Sequence, residues 1–248
     1  MGTKKSVSEM NKAEKVIDLL KFWIRNPYTI SIAINRALRM PELKKKGLKT
    51  LAPNYVFFEK FNENSTVIDI GCGYEAELSQ YLIDHYRIKT AYAVDPTEKH
   101  APALHEIQER LGDRFVHLKY ALAEKETELE FFETLEKESG SLLSDHQNIQ
   151  HDKIRRYNVK TITLEKLLEI TSSDKVAFIK IDIEGMEFSL FEKINPELLK
   201  RFDQIFIEFH HYSVRSFNKR DTRRIVKKLE GSGLKSFTVD TVNYLFYW

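Results

Sequence analysis

Carboxylates cluster at the end of an apolar run in the stretch VAFIKIDIEGME, residues 176–187. Asp182 and Glu184 stand two positions apart, so they share one face if the chain there is extended. Glu208 and His210 repeat this spacing in QIFIEFHH. Because an unpaired buried charge is costly, such groups need a partner, a metal ion or a part in proton transfer. We therefore take Asp182, Glu184, Glu208 and His210 as the candidate catalytic residues.

These residues could assist attack by a hydroxyl group in two ways. A buried carboxylate remains a weaker base than an alkoxide, so it could accept the hydroxyl proton only in concert with the attack. Alternatively, Asp182, Glu208 and His210 could hold a divalent cation that lowers the pKa of the bound hydroxyl. Oxygen ligands favour Mg²⁺ or Mn²⁺, and histidine would also admit Zn²⁺ or iron. Structural pairing, with Lys180 as one partner, is a third interpretation that stays open.

A glycine-containing loop stands upstream, in VIDIGCGYEAELS. Gly71 and Gly73 allow a tight turn and a close approach of the backbone to a ligand. The negative charges of Asp69 and Glu75 oppose a pyrophosphate, whereas Asp69 would suit a cationic amino group. Asp95 ends the following strand, where a carboxylate binds ribose hydroxyls. A ligand with a ribose, an amino group and no phosphate fits all of these features, and S-adenosylmethionine is such a ligand.

The elements that position these residues follow from an alternation of strand-like and helix-like runs beginning at residue 66. Strands are predicted in TVIDI, TAYAVD, FVHLKYAL, KVAFIKI and QIFIEF, with helical patterns between them. This alternation predicts an α/β fold with a mostly parallel sheet, closed by an antiparallel pair of strands. Ala123, directly after FVHLKYAL, is included among the predicted cofactor-binding residues. The polar stretch 137–158 is expected to be a substrate-facing loop.

The motifs VIDIGCGYEAELS, AVDP, SGSLLS, VKTITLEKLL, IKIDIEGME and IFIEF occur in the order found in the FkbM family of S-adenosylmethionine-dependent methyltransferases. The chain resembles this family over residues 65–247 or so. The resemblance implies a class I, Rossmann-like fold with a seven-stranded, mostly parallel sheet and an antiparallel last strand. It also implies O-methylation of a hydroxyl on a sugar, a glycolipid or a natural product.

The resemblance extends to individual positions. Its cofactor-binding residues match Asp69, Gly71, Gly73 and Asp95. Its acidic signature and the acidic end of the next strand match Asp182, Glu184, Gly185 and Glu208. The chain departs from the family pattern at Glu75, where a glycine is usual, and at Glu165, where aspartate is usual.

The length of 248 residues suits one large domain with an extension. We expect an N-terminal helical cap over residues 1–60, with helices near 14–24 and 31–40, and the methyltransferase domain over residues 61–248. The single cysteine, Cys72, agrees with a cytoplasmic location. Apolar runs are too short to span a bilayer. The start MGTKKS fits a loose myristoylation pattern, so peripheral membrane contact stays open, as does a homodimer.

Two alternative functions stay open. An RNA 2′-O-methyltransferase could use the acidic and histidine residues as a metal site. The formal net charge of +2 and the lack of interleaved basic and aromatic residues argue against a nucleic-acid partner. The other alternative is a Rossmann-like binding protein without catalytic activity. We predict a small molecule or a glycan as the hydroxyl acceptor.

Overall fold

The computed structural model describes residues 27–51, 55–137 and 139–248, and most of its elements alternate between strand and helix. The strands are β1 (Leu48–Leu51), β2 (Tyr55–Phe58), β3 (Thr66–Ile70), β4 (Thr90–Val94), β5 (Phe115–Leu118), β6 (Ala121–Leu122), β7 (Glu128–Thr134), β8 (Gly140–Ser141), β9 (Ile154–Ile162), β10 (Phe178–Ile181), β11 (Gln204–Glu208), β12 (Lys235–Thr238) and β13 (Asn243–Tyr247). The α-helices are α1 (Pro27–Lys45), α2 (Glu77–Tyr86), α3 (Ala101–Leu111), α4 (Gln147–His151), α5 (Leu164–Thr171), α6 (Glu187–Lys193), α7 (Pro196–Leu199) and α8 (Lys219–Gly231).

The main sheet has seven strands in the order β12-β13-β11-β10-β3-β4-β5. The pairings among β11, β10, β3, β4 and β5 are parallel, and β13 runs antiparallel to both of its neighbours. The central strands β3 and β10 are buried along their whole length, as expected for parallel strands with apolar sequences. The predicted α/β fold with a mostly parallel seven-stranded sheet and an antiparallel last strand is confirmed.

The strand order reverses between β3 and β10. The chain moves from β3 outward to β4 and β5 on one side, and returns to place β10 and β11 on the other. Since Ile70 pairs with Ile181, the next residues, Gly71 and Asp182, meet at the carboxyl edge of the sheet. A Cβ on Gly71 would lie 1.8 Å from the backbone oxygen of Asp182, so only glycine fits there. In open α/β sheets, ligands bind at this kind of reversal.

A second sheet, with the order β6-β9-β7-β8, is inserted between β5 and β10. The predicted loop 137–158 is therefore only partly a loop, because it contains β8, α4 and the first half of β9. β9 was missed because its sequence, IRRYNVKTI, carries charged and exposed residues over most of its length. It is held by its antiparallel pairing with β7 and not by an apolar stripe of its own.

The N-terminal region contains a helix and a hairpin. The helix predicted near 31–40 is part of α1, which continues past Pro41 to Lys45, and the one predicted near 14–24 lies outside the described residues. α1 belongs to one compact unit with Val239–Thr241. The β1–β2 hairpin, which the sequence did not predict, belongs to a second unit with Gly47–Thr238 and Val242–Trp248.

The predicted division into residues 1–60 and 61–248 stays a prediction. In the second unit, β2 contacts the main sheet, with the backbone N–H of Phe58 donating to Gln204 Oε1 at 2.6 Å. None of the helices in the described ranges is both long and apolar enough to cross a membrane.

Candidate active site

A cavity of about 230 Å³ opens at the reversal of strand order. Its wall includes Gly71 and Gly73 from the loop after β3, and Asp95 from the end of β4. Its lining also includes Asp182 and Glu184, which follow β10. Residues predicted separately as cofactor-binding and as catalytic thus line one cavity. The other predicted site residues, which do not appear among its described lining residues, are Asp69, Ala123, Glu208 and His210.

Asp95 is held by the loops around it. Its Oδ2 accepts the backbone N–H of Gly73 at 3.0 Å and lies 3.3 Å from His100 Nδ1, while its Oδ1 accepts the N–H of Thr97 at 2.9 Å. Burial by itself would raise the pKa of Asp95, but His100 and Thr97 hold that pKa below its ordinary value. Asp95 is therefore a fixed, ionised acceptor on the cavity wall, and it also sets the shape of the glycine loop.

Asp69 is buried next to a lysine. Its Oδ2 accepts the hydroxyl of Ser79 at 2.9 Å, and its Oδ1 lies 3.5 Å from Lys180 Nζ. The same ammonium donates to the carbonyl of Gly71 at 2.6 Å and lies 3.3 Å from Asp182 Oδ2. Burial opposes the charge of Lys180, yet Asp182 and Asp69 raise the pKa of Lys180 well above its ordinary value. In the structure, the cation that faces Asp69 is therefore Lys180.

Glu184 is the point where the inserted segment meets the main sheet. Its Oε1 accepts the hydroxyl of Ser139 at 3.0 Å, and its backbone carbonyl accepts that of Ser141 at 2.8 Å. Its Oε2 lies 2.8 Å from His146 Nε2 and 3.3 Å from His210 Nε2. Burial alone would raise the pKa of Glu184, but the neighbouring histidines and Ser139 lower it to about 2.

His146 is oriented by its position at the start of α4. Its Nδ1 accepts the backbone N–H of Asn148 at 3.3 Å, so the ring proton belongs on Nε2, which faces Glu184. This side chain is buried and lies in the polar stretch predicted to face the substrate. The stretch 137–158 therefore contacts the candidate site through His146 and Glu184, and its predicted contact with substrate stays a prediction.

His210 is fixed by Glu187. His210 Nδ1 lies 2.9 Å from Glu187 Oε1, and its Nε2 lies 3.6 Å from Asp182 Oδ1. Glu187 is fully buried and also accepts the backbone N–H groups of Ile183 and Gly185. Burial opposes protonation, but the carboxylates around it raise the pKa of His210 well above its ordinary value. Glu187 was not among the candidate residues taken from the sequence.

Glu208 lies at the end of β11, close to this cluster. Its Oε1 accepts the hydroxyl of Tyr212 at 3.1 Å. Burial and the negative charge of Asp182 raise the pKa of Glu208 to about 7. Ala123 is buried after β6, and its N–H donates to the carbonyl of Ile162 at 3.0 Å. Its assignment to the cofactor site stays a prediction.

The sequence did not point to Tyr55 as a site residue. Tyr55 comes from the β1–β2 hairpin and lines the cavity, with Lys180 Nζ 5.4 Å from the centre of its ring. The Lys180 charge lowers the pKa of this phenol, but burial and nearby carboxylates raise it to about 12. Nothing in the spacing around Tyr55 resembles a motif, so only the fold could reveal this position.

Comparison with known proteins gives the family. The sequence model of the methyltransferase FkbM domain matches residues 73–235, which is more than half of the chain. The chain belongs to the FkbM methyltransferase family. This membership confirms the predicted family and the class I fold, and the predicted S-adenosylmethionine cofactor agrees with it. No curated protein matches the chain in sequence.

Several solved structures are similar to this chain at low sequence identity. Methyltransferase FkbM from Methylobacillus flagellatus KT is 15% identical, with a TM-score of 0.49 over 76% of this chain and 44% of the other. This chain therefore spans less than half the length of that protein. The fibrillarin pre-rRNA processing protein of Methanococcus jannaschii is 14% identical, with a TM-score of 0.45 over 82% and 71% of the two chains. Aeropyrum pernix fibrillarin, solved with S-adenosyl-L-methionine, is 10% identical, with a TM-score of 0.42 over 84% and 73%.

Proposed function

We propose that this chain is an S-adenosylmethionine-dependent O-methyltransferase whose acceptor is a hydroxyl on a sugar, a glycolipid or a natural product. The observation that carries the proposal is the shared cavity. Gly71, Gly73 and Asp95 line it together with Asp182 and Glu184. A cofactor bound at the glycine loop and Asp95 would thus have carboxylates near it that can accept the proton of an attacking hydroxyl.

The lining residues have different parts in the proposal. Asp95, already ionised and fixed, receives the ribose hydroxyls, while the loop after β3 lies against the methionine portion of the cofactor. The cofactor supplies an electrophilic methyl group, so the protein has to align the acceptor oxygen with the carbon–sulfur bond. Asp182 is the residue we assign to orienting that hydroxyl, because it lines the cavity and its other oxygen is held by Lys180.

The charge of the site supports a neutral acceptor. Asp182, Glu184 and Glu208 stand close together beside the cavity, and Lys180 is already engaged by Asp69 and Asp182. A phosphate group entering this region would meet carboxylates, which favours a glycan or another uncharged hydroxyl compound over RNA. We also propose the division into an N-terminal extension over residues 1–60 and a methyltransferase domain over residues 61–248. A cytoplasmic location and a homodimer stay predictions.

Methyl transfer can be tested with S-adenosylmethionine that carries a labelled methyl group. The purified chain is incubated with panels of sugars, glycolipids and macrolide-type alcohols, and with bulk RNA. We expect label in a hydroxyl compound, lost in Asp182→Asn but retained in the surface control Glu192→Gln. Labelling of RNA alone would overturn the acceptor class.

Binding of S-adenosylhomocysteine, measured by calorimetry, separates the cofactor site from catalysis. Asp95→Asn should weaken binding, whereas Asp182→Asn should bind nearly as the unmodified chain does. Binding without transfer to any acceptor class, at wild-type levels in Asp182→Asn, would favour the non-catalytic alternative. If neither compound binds, the proposed cofactor is wrong.

A further inference from the structure

Three potential metal-binding atoms converge beside the cavity. Asp182, Glu184 and His210 each bring one such atom, and these atoms all lie within 4.8 Å of one another. His210 Nε2 lies 3.3 Å from Glu184 Oε2 and 3.6 Å from Asp182 Oδ1. Adjacent ligands of a six-coordinate cation with bonds of about 2.1 Å stand about 3 Å apart. The two separations from His210 Nε2 exceed that value by only a few tenths of an ångström, and the third, between the two carboxylate oxygens, is within 4.8 Å.

Each of the three side chains also makes a polar contact through an atom other than its proposed ligand atom. Asp182 uses its other oxygen for Lys180, at 3.3 Å, and Glu184 uses its other oxygen for Ser139, at 3.0 Å. His210 directs Nδ1 at the buried carboxylate of Glu187, at 2.9 Å. A carboxylate that receives the second N–H of a histidine is the usual support of a metal-binding imidazole. The arrangement thus has both the ligands and the supporting contacts of a built metal site.

The types of ligand restrict the choice of ion. Two carboxylate oxygens and one imidazole nitrogen suit Mn²⁺ better than Mg²⁺, which prefers oxygen alone, or Zn²⁺, which prefers nitrogen and sulfur. Three protein ligands leave open positions on a six-coordinate ion. Since Asp182 and Glu184 line the cavity, those positions would be available to a hydroxyl inside it.

We propose that Asp182, Glu184 and His210 bind one divalent cation of the Mn²⁺ type next to the methyl-transfer cavity. The ion would hold the acceptor hydroxyl and lower its pKa, so that the hydroxyl can lose its proton to solvent as its oxygen bonds to the methyl carbon. The carbon–sulfur bond breaks in the same step, and S-adenosylhomocysteine is the leaving group. This set differs from the one predicted from sequence, because Glu184 takes the place of Glu208, which accepts a hydrogen bond from Tyr212 instead. The catalytic consequence rests on the proposed function, whereas binding of the ion does not.

The site can be tested on the full chain, freed of metal and without cofactor or acceptor. MnCl₂ is titrated while free Mn²⁺ is followed by electron paramagnetic resonance, and isothermal calorimetry gives the stoichiometry. We expect one saturable Mn²⁺ per chain, displaced only by a large excess of Mg²⁺. His210→Ala and Asp182→Asn should abolish this binding. Glu187→Gln, which keeps all three ligands, should weaken it by about 10- to 100-fold.

Two control variants test whether a loss of Mn²⁺ binding is specific to the proposed ligands. Glu192→Gln changes an exposed carboxylate on the same helix as Glu187, and it should leave Mn²⁺ binding unchanged. Glu208→Gln should weaken Mn²⁺ binding far less than Asp182→Asn does, since Glu208 lies outside the proposed ligand set. Circular dichroism verifies that each variant is folded.

Absence of saturable Mn²⁺ binding overturns the proposal and favours a protonated His210 that bridges the two carboxylates. Equal losses in Glu208→Gln and Asp182→Asn would overturn the ligand set. Tight Zn²⁺ binding together with no Mn²⁺ binding would overturn the choice of ion. Failure of Mn²⁺ binding would leave methyl transfer intact as a proposal, because transfer is measured separately.

Discussion

Replacing Lys180 by methionine should destabilise the fold through Asp69. The Lys180 ammonium lies 3.5 Å from Asp69 Oδ1 and 3.3 Å from Asp182 Oδ2, and its side chain is 2% exposed. Breaking a buried ion pair by removing one partner destabilises a protein by about 3–5 kcal/mol, because the other charge stays buried. Asp182 is 22% exposed and can be solvated, whereas Asp69, at 1%, cannot.

We therefore expect the lower end of that range, about 3 kcal/mol in the free energy of unfolding. For a chain of this size, each kcal/mol lowers Tm by about 2–4 °C, so the loss should be about 6–12 °C. Urea denaturation and scanning calorimetry at neutral pH measure both quantities. Adding Asp69→Asn to Lys180→Met should recover most of the loss, since it removes the uncompensated carboxylate and keeps a partner for Ser79.

Lys175→Met is the matched control. Lys175 Nζ lies 2.7 Å from Asp203 Oδ1, but these side chains are 53% and 47% exposed, so the change should be within about 1 kcal/mol. The reasoning fails if Lys180→Met is as mild as this control, or if Asp69→Asn does not restore stability. If Asp69 binds the amino group of the cofactor, as the sequence suggested, the double variant would also lose affinity for S-adenosylhomocysteine.

Three further predictions concern the cavity wall. Gly71→Ala should abolish S-adenosylhomocysteine binding in calorimetry because of the contact at 1.8 Å, whereas Gly73→Ala, with open space around its Cβ, should add only backbone strain of about 1–2 kcal/mol. Asp95 has a lowered pKa in the folded state, so its contribution to stability is fully present above about pH 4 and is lost as the pH falls through that folded-state pKa. In acid unfolding, His100→Leu should therefore move this loss of stability to higher pH. Glu184→Gln should speed amide hydrogen exchange in the segment from β8 to α4 by about 10- to 100-fold, as expected for the loss of charged hydrogen bonds. Unchanged exchange there would show that other contacts hold the segment.

The sequence predicted the main sheet well because its strands are continuous apolar runs. TVIDI corresponds residue for residue to β3, and QIFIEF ends one residue beyond β11. The glycine loop could be located because positive φ values and the approach of the Asp182 backbone leave only glycine at position 71. By contrast, β9 depends on pairing with β7, and its own residues carry too little apolar periodicity to predict it. The β1–β2 hairpin is local, but each of its strands has only four residues, too short a run to be recognised as a strand.

The site prediction was incomplete because the sequence does not show how separate elements pack against one another. The spacing of Asp182 and Glu184 showed that both lie near one strand end, but it could not show which neighbour each carboxylate faces. His146 reaches Glu184 from α4, and Glu187 reaches His210 from α6, so both contacts depend on how separate elements pack. A histidine in a polar stretch and a glutamate in a helix give no sequence signal of such roles.

Packing divides the acidic residues into two groups with different consequences. Lys180 neutralises Asp69 and faces Asp182, and it also binds the carbonyl of Gly71, so this group holds the glycine loop against the end of β10. Glu184 and His210 form the other group with Glu187, and their contacts run to the inserted segment and to α6. Asp182 belongs to both groups, one oxygen on each side. In Asp182→Asn, Lys180 still faces Asp69 and still donates to the carbonyl of Gly71, so this variant should lose the cation site and keep cofactor binding nearly unchanged. Glu187→Gln should likewise weaken only the cation site. Weaker cofactor binding in Glu187→Gln, or cation binding retained in Asp182→Asn, would show that the division is wrong.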